Sequence, residues 1–571
     1  LLNYKTHIAE KIAALLTGAD EQEIFKLLEY PPNPEMGDLS LPCFRLSKAL
    51  KRPPQAIADG LSQNLKDDII DRTDSVSGYL NIFLSRGRFA ESVITRIRNE
   101  GAKYGSQEIG KGKTVVIDYS SPNIAKPFHV AHLRSTVIGN ALYQIFSFLG
   151  YKCVGINHLG DWGTQFGKLI VSYRLWGSAE EVQQGTIDEL LRLYVKFHEE
   201  AEKDPALEDE ARAWFVKMEQ GDEEALALWR WFVEISMAEF QKIYRLLGVQ
   251  FDSYAGESFY NDKMEPVIQE LKQKNLLEED EGAWLIRLDQ YGMAPALMLK
   301  KDGSSLYHTR DVTAAIYRKK TYHFDKAIYV TDYAQNLHFK QWFKVVDLMG
   351  YEWAGDLEHV AFGRVSIEGM SLSTRKGNVV KLEDLLYRAI NKTREIIEAK
   401  NPNMENKDEV ARQVGVGAVI FNDLSGNRIK DIDFSWEDAL NFEGETGPYV
   451  QFTYARTCSV IRKAGGDERI SLVNHDDIDA SHLQNVEAVG VLKQLILFTE
   501  RVEQAMQKLE PSIVTRYLID LAQAFNRFYH GCHILVDDPA LRSARLALVE
   551  CVQITLQSGL RLIGLEAPEK I

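Results

Sequence analysis

The stretch TVVIDYSSPNIAKPFHVAHLRSTVIGNALYQIFSFLGYKCVGIN, Thr114 to Asn157, decides the fold. TVVIDYS is a short apolar run of strand length, and the two prolines of SPNIAKPF keep the segment after it from being helical. From His129 onward Leu133, Val137, Ile138, Leu142 and Ile145 recur at helical spacing. YKCVGIN is then a second strand. Strand, loop, helix, strand is the opening unit of a doubly wound nucleotide-binding sheet. His129 and His132 stand three apart at the start of that helix, so both project from one face beside unpaired backbone N–H groups. A helix N-terminus attracts anions, and two imidazoles there suit charge developing on phosphate. Taken alone, the pair reads equally as a capping feature or a partial metal site.

Outward from this segment the chain divides into three parts. Residues 1–107 read as an α+β module, with helical patterns at 5–17 and 20–29, a Pro-rich turn, strands near 69–76 and 79–84, and a helix near 88–99. Gly101, Gly105, Gly110 and Gly112 then space out a linker. Residues 108–410 form the α/β part, interrupted at about 176–250 by an acidic helical insertion. From 411 to 571 almost everything is helical by period, which predicts a C-terminal bundle. The expected fold class is thus a Rossmann-like α/β core between an N-terminal α+β domain and an all-α C-terminal domain.

Composition limits the alternatives. With 45% hydrophobic and 26% charged residues the chain is ordinary for a globular protein. No run approaches the apolar length of a membrane span, and LLNYKTHIAEKIAALL reads as an amphipathic helix, not a signal peptide. The cysteines at 43, 153, 458, 532 and 551 lie too far apart for a zinc cluster or a disulfide framework. Isolated thiols predict a cytoplasmic location and no resident metal. A net charge of −15 weighs lightly against nucleic acid as a partner, because binding depends on local clusters such as Arg318, Lys319 and Lys320.

HVAH at 129–132 resembles the HIGH signature of class I aminoacyl-tRNA synthetases, and GMSLSTRKGNVV at 369–380 occupies the place of their KMSKS loop. Within that class SSPNIAKPFHVAHLRST, NHLGDWGTQFG, LYHTRD, MSLSTRKG and FEGETGPYVQF are similar to segments of arginyl-tRNA synthetases, in the family's order. The N-terminal module resembles the extra domain that these enzymes carry. There are two departures. Ala131 replaces the glycine of HIGH, and Gly369 and Leu372 stand where the KMSKS lysines belong. In such enzymes a lysine just before HIGH is held to compensate, which makes Lys126 a candidate beside Arg375 and Lys376.

The resemblance implies ATP-dependent activation of L-arginine and its transfer to tRNA(Arg), with activation awaiting tRNA. His129 and His132 would stabilise the transition state. Lys126, Arg375 and Lys376, with Met370, Ser371, Ser373, Thr374 and Gly377, would hold the nucleotide phosphates, Mg²⁺ arriving with ATP. A guanidinium needs carboxylates in bidentate reach and an aromatic face. The family's pattern supplies Glu257, Asp311 and Tyr307 for that end, and Asn123, Gln335 and Ser121 for the other. Each has a plainer reading: Glu257 as a solvated loop acid, Asp311 as a partner of Arg310, Tyr307 as core, Gln335 as a polar residue at a helix start. The bundle would read the anticodon, with Tyr449, Tyr454, Phe528 and Tyr529 as stacking candidates. The resemblance implies a monomer, and neither DNA nor membrane as a partner. The rival readings are another class I synthetase, a small nucleotidylyltransferase, and a catalytically silent tRNA-binding paralogue.

Overall fold

The computed structural model describes residues 4–571 apart from 32, 301–305, 368–369, 372–380 and 466–477. Its centre is a four-stranded parallel sheet in the order Leu357–Phe362, Lys326–Asp332, Thr114–Asp118, Lys152–Ile156. Side chains alternate across this sheet as the pleat requires. Val115 and Ile117 enter one core together with Leu142 and Ile145 of the helix Val130–Phe148, while Val116 enters a second core with Val312 and Trp342. Both faces are therefore covered, which is why the strands read as continuous apolar runs. The helix Val130–Phe148 lies close to the first strand: a Cβ added to Gly139 would meet Tyr119 at 2.2 Å. The strand order reverses between Thr114–Asp118 and Lys326–Asp332, and a crevice at the carboxyl ends is the expected consequence.

A small antiparallel sheet, Glu278–Asp280, Ala283–Ile286 and Ala296–Leu299, leads into the helix Tyr307–Tyr322. Thr309 Oγ1 donates to the Met298 carbonyl at 2.6 Å, which seats that helix. The helices Ala179–Ala201, Ala206–Glu219 and Glu223–Leu247 fill the acidic insertion.

The N-terminal residues fold as an antiparallel sheet in the order Leu39–Pro42, Tyr79–Leu84, Ile70–Val76, with the helices Tyr4–Leu15, Glu21–Leu27 and Pro54–Asn64 around it. The closing helix, Arg86–Glu100, packs against the C-terminal helices Val486–Lys508 and Pro539–Leu562, with Arg98 ion-paired to Glu550 at 2.9 Å. After residue 411 the chain is not purely helical. The strand Ile432–Phe434 interrupts the bundle and pairs in parallel with Val365–Ile367 of the α/β part. Three residues are too few for a period to register, so the sequence pattern passed over it.

Candidate active site

The loop after the first strand is built under strain. Ser120, Ser121 and Ala125 have φ of 72°, 48° and 60°, a region L residues occupy at a cost of about 1–3 kcal/mol each, and one concentrated at functional sites. Side-chain bonds hold it there. Ser120 N donates to Ser135 Oγ at 2.8 Å, Ser120 Oγ lies 2.8 Å from the Tyr244 hydroxyl, and Asn157 Nδ2 donates to that same hydroxyl at 2.8 Å. Ala125 N donates to Ser236 Oγ at 3.0 Å. Two helical-insertion residues, Ser236 and Tyr244, thus fix the catalytic loop. Asn123 bridges Gly160, where a Cβ would lie 2.1 Å from Asn123 Oδ1, so only glycine leaves the asparagine its place.

The histidines follow from this loop. His129 caps the helix, and its backbone N–H donates to His132 Nδ1 at 3.2 Å. That bond assigns the His132 proton to Nε2, leaving a donor free for a ligand. The two rings stack with centroids 3.8 Å apart. Burial, assisted by the Lys126 charge, depresses His129 to about 4, and burial with the charges of His129 and Lys126 holds His132 well below the usual imidazole range. Both are neutral donors at physiological pH.

A cavity of about 640 Å³ opens from the histidines toward Glu257, Tyr307, Asp311 and Gln335, and Ser121 and Asn123 also line it. Beneath it lies a buried pair, Asp118 and Arg318, 2.7 Å apart, with Ser121 Oγ donating to Asp118 at 2.9 Å. Glu257 is partly buried, with its backbone N–H on the Leu159 carbonyl at 2.9 Å. Desolvation raises its carboxyl to about 7, Arg310 opposing. Arg310 Nη1 sits 3.1 Å from Glu257 Oε2, whereas Asp311 Oδ2 pairs with His338 Nε2 at 2.5 Å. The plainer alternative, Asp311 as a partner of Arg310, does not hold: neighbours on a helix point along different faces. Tyr307 is no core residue; it is 68% exposed at the cavity rim. Gln335 is exposed at the start of the helix Asn336–Leu348 and still lines the cavity.

Other expected residues lie elsewhere. Lys126 is half-buried behind the histidines, with Nζ 5.5 Å from the Tyr194 ring of the insertion, and burial lowers its pKa. Met370 and Ser371 form a short strand paired with Ile367 and Ser366. Ser373, Thr374, Arg375, Lys376 and Gly377 fall outside the described residues. In the bundle Tyr454 and Phe528 are 2% and 0% exposed, so as stacking surfaces for bases they are corrected to core. Tyr449 and Tyr529 are half-buried beside the surface clefts, and the Arg456 guanidinium lies 4.9 Å from the Tyr529 ring.

The sequence reading missed His338 and Asp118, and it placed Arg310 on Asp311 and Arg318 in a basic cluster, where the structure pairs Arg310 with Glu257 and buries Arg318 on Asp118. His338 alone carried a signal, being one helical turn beyond Gln335.

A parallel sheet with a histidine pair at the first strand-to-helix turn, a ligand crevice at its switch point and a helical domain behind it defines the class I aminoacyl-tRNA synthetases. The comparisons with known proteins agree. Residues 93–436 match the family described as tRNA synthetases class I (R), catalytic domain, 450–571 the DALR anticodon binding domain, and 2–84 the arginyl tRNA synthetase N terminal domain. The arginine–tRNA ligases of Alkaliphilus metalliredigens and Clostridioides difficile are 55% and 53% identical over 570 residues, covering 100% of both chains in each case. The solved arginyl-tRNA synthetase of Thermus thermophilus superposes with a TM-score of 0.82 at 26% identity, over 99% of this chain and 100% of that one. The chain belongs to the arginyl-tRNA synthetase family, the ATP-dependent arginine–tRNA ligases.

Proposed function

We propose that the cavity binds arginine with its guanidinium toward Glu257 and Asp311 and its carboxylate toward Asn123, Gln335 and Ser121, beside ATP at His129 and His132. The observation that supports this most is that the two acids and the two neutral imidazoles line one cavity. The arginine carboxylate attacks the α-phosphorus of ATP in line; the bond to the β-phosphate bridging oxygen breaks and pyrophosphate leaves. No group on the protein becomes covalently attached, so positioning and hydrogen bonding to the developing charge supply the catalysis. His132 Nε2–H and the helix N-terminus donate to phosphate oxygens. The magnesium that accompanies ATP belongs to the substrate. The adenylate then acylates the terminal adenosine of tRNA(Arg). Charging unfractionated tRNA with each amino acid in turn tests the reading: arginine alone should be incorporated.

Lys126 gives a second test. Its charge already reaches both histidines, and among the described residues no carboxylate is ion-paired with it. As a phosphate ligand it should govern adenylate formation without touching arginine. Lys126→Ala is expected to lower the exchange rate about 10–100-fold, the loss of one charge-assisted contact, with arginine affinity unchanged. A silent Lys126→Ala with a deficient Lys376→Ala would move the role to the loop.

Arginine binding should also depend on pH. The Glu257 carboxyl, raised to about 7 by desolvation, must be ionised to pair with a guanidinium. Its neutral form, abundant below that value, binds weakly, so affinity rises with pH. Between pH 6 and 8 the arginine Kd is expected to fall about tenfold. Calorimetric titration at the two values checks this, and Glu257→Gln should flatten the profile. A flat wild-type profile removes Glu257 from the arginine contact.

A further inference from the structure

The helix that carries the histidines is fastened to the C-terminal bundle by one buried side chain. Arg134 is two residues beyond His132 and 0% exposed. Its Nη1 donates to the Gly363 carbonyl at 2.9 Å and the Lys430 carbonyl at 2.8 Å, and its Nε lies 3.4 Å from Asp423 Oδ1. Gly363 follows Phe362, which lines the active cavity, and leads into Val365–Ile367. Lys430 precedes the strand Ile432–Phe434, and Asp423 lies in the last turn of the helix Lys407–Leu424. From there the connections run on into the bundle. Thr515 Oγ1 donates to the Leu424 carbonyl at 3.1 Å, and Arg428 Nε to the Leu509 carbonyl at 3.0 Å.

The fastening is incomplete. Arg134 Nε and Nη2 and Asp423 Oδ1 are buried without a hydrogen-bond partner among the described residues, although the two side chains face each other. Two buried charges 3.4 Å apart form an ion pair without an aligned hydrogen bond, so the cost of their desolvation is only partly offset. Burial accordingly raises Asp423 to about 6, with Arg134 opposing. A small shift of the helix Lys407–Leu424 would bring the pair into hydrogen-bonding alignment. Close-packed helices transmit such a shift as rigid bodies, and His132 is less than one turn from Arg134.

We propose that Arg134 is a positioning residue which, through Asp423, makes the alignment of His129 and His132 depend on where the C-terminal bundle sits. Occupation of the bundle by tRNA aligns the Asp423–Arg134 pair, and the histidine helix and the Phe362–Gly363 edge of the cavity settle together. The inference rests on the arginine–tRNA ligase activity only for its assay, and wild-type charging verifies that assay independently of the variants.

The test is a double-mutant cycle on the full chain, with charging and pyrophosphate exchange measured per active site after burst titration. Asp423→Asn keeps the shape and removes the charge. It should lower kcat for charging by about 10²-fold, the scale of a small misplacement at the chemistry, while KM for arginine and ATP and tRNA binding stay within about twofold. Arg134→Lys, which cannot reach both carbonyls and Asp423, should show the same kcat-selective loss, and adding Asp423→Asn to it should cost nothing more. Unchanged kcat per site in either variant overturns the proposal. So do additive losses, or a loss of tRNA affinity and thermal stability with kcat per site intact, which marks a merely structural pair. If Asp423→Asn does not fold, Arg134→Lys decides by the same kcat criterion.

Discussion

Asp311→Asn is expected to abolish most arginine charging while leaving the fold intact. The carboxylate lies in the cavity, paired only with His338 among the described residues, and replacing it by an amide of equal size removes charge without opening a void. What is lost is a charge-assisted pair with the substrate guanidinium in a partly desolvated site. Breaking such a pair costs about 2–5 kcal/mol, or about 30- to several-thousand-fold in kcat/KM for arginine. The same reasoning predicts strong rejection of citrulline, which keeps the shape of arginine but not the charge and would leave Glu257 and Asp311 facing a neutral ureido group. Ornithine keeps a charge but cannot reach both acids. Aminoacylation kinetics with the three amino acids provide the check. Wild-type levels of arginine charging by Asp311→Asn would move the specificity pocket elsewhere.

Pyrophosphate exchange should need tRNA. The residues that would hold arginine come from segments around 123, 257, 311 and 335, each on a different element, and no single helix or strand fixes their spacing. Glu257 and Asp311 are engaged by Arg310 and His338, so these side chains stand where a guanidinium would have to enter. Rearranging these pairs requires energy that a large ligand can supply as it draws the domains together. Exchange of labelled pyrophosphate into ATP with arginine is expected at background without tRNA and to rise by orders of magnitude with it. Robust exchange in the absence of tRNA would show the site to be preorganised.

Element types were legible in the sequence wherever a pattern was long enough to repeat. The helix from His129 was legible because five apolar residues recur on one face, and the parallel sheet because strands buried on both faces must be apolar throughout. The histidine pair was legible as well, since spacing and helix start are local properties. Motif order carried the family. The short strand Ile432–Phe434 escaped because three residues hold no period.

Pairing and burial needed the tertiary structure. A helical position says that an aromatic lies on some face, not which neighbour covers it, and so Tyr454 and Phe528 turned out to be core while Tyr449 and Tyr529 reach the clefts. Likewise Arg310 and Asp311 are adjacent in the chain but point apart, one to Glu257 and the other to His338. The fastening of Arg134 to Gly363, Lys430 and Asp423 joins residues hundreds of positions apart, which no local pattern can announce. Sequence determined what each segment is, because backbone preference and apolar period act over a few residues. Which charges meet was decided only when the sheet, the insertion and the bundle packed, because Coulomb and hydrogen-bond energies depend on distance in space and not along the chain.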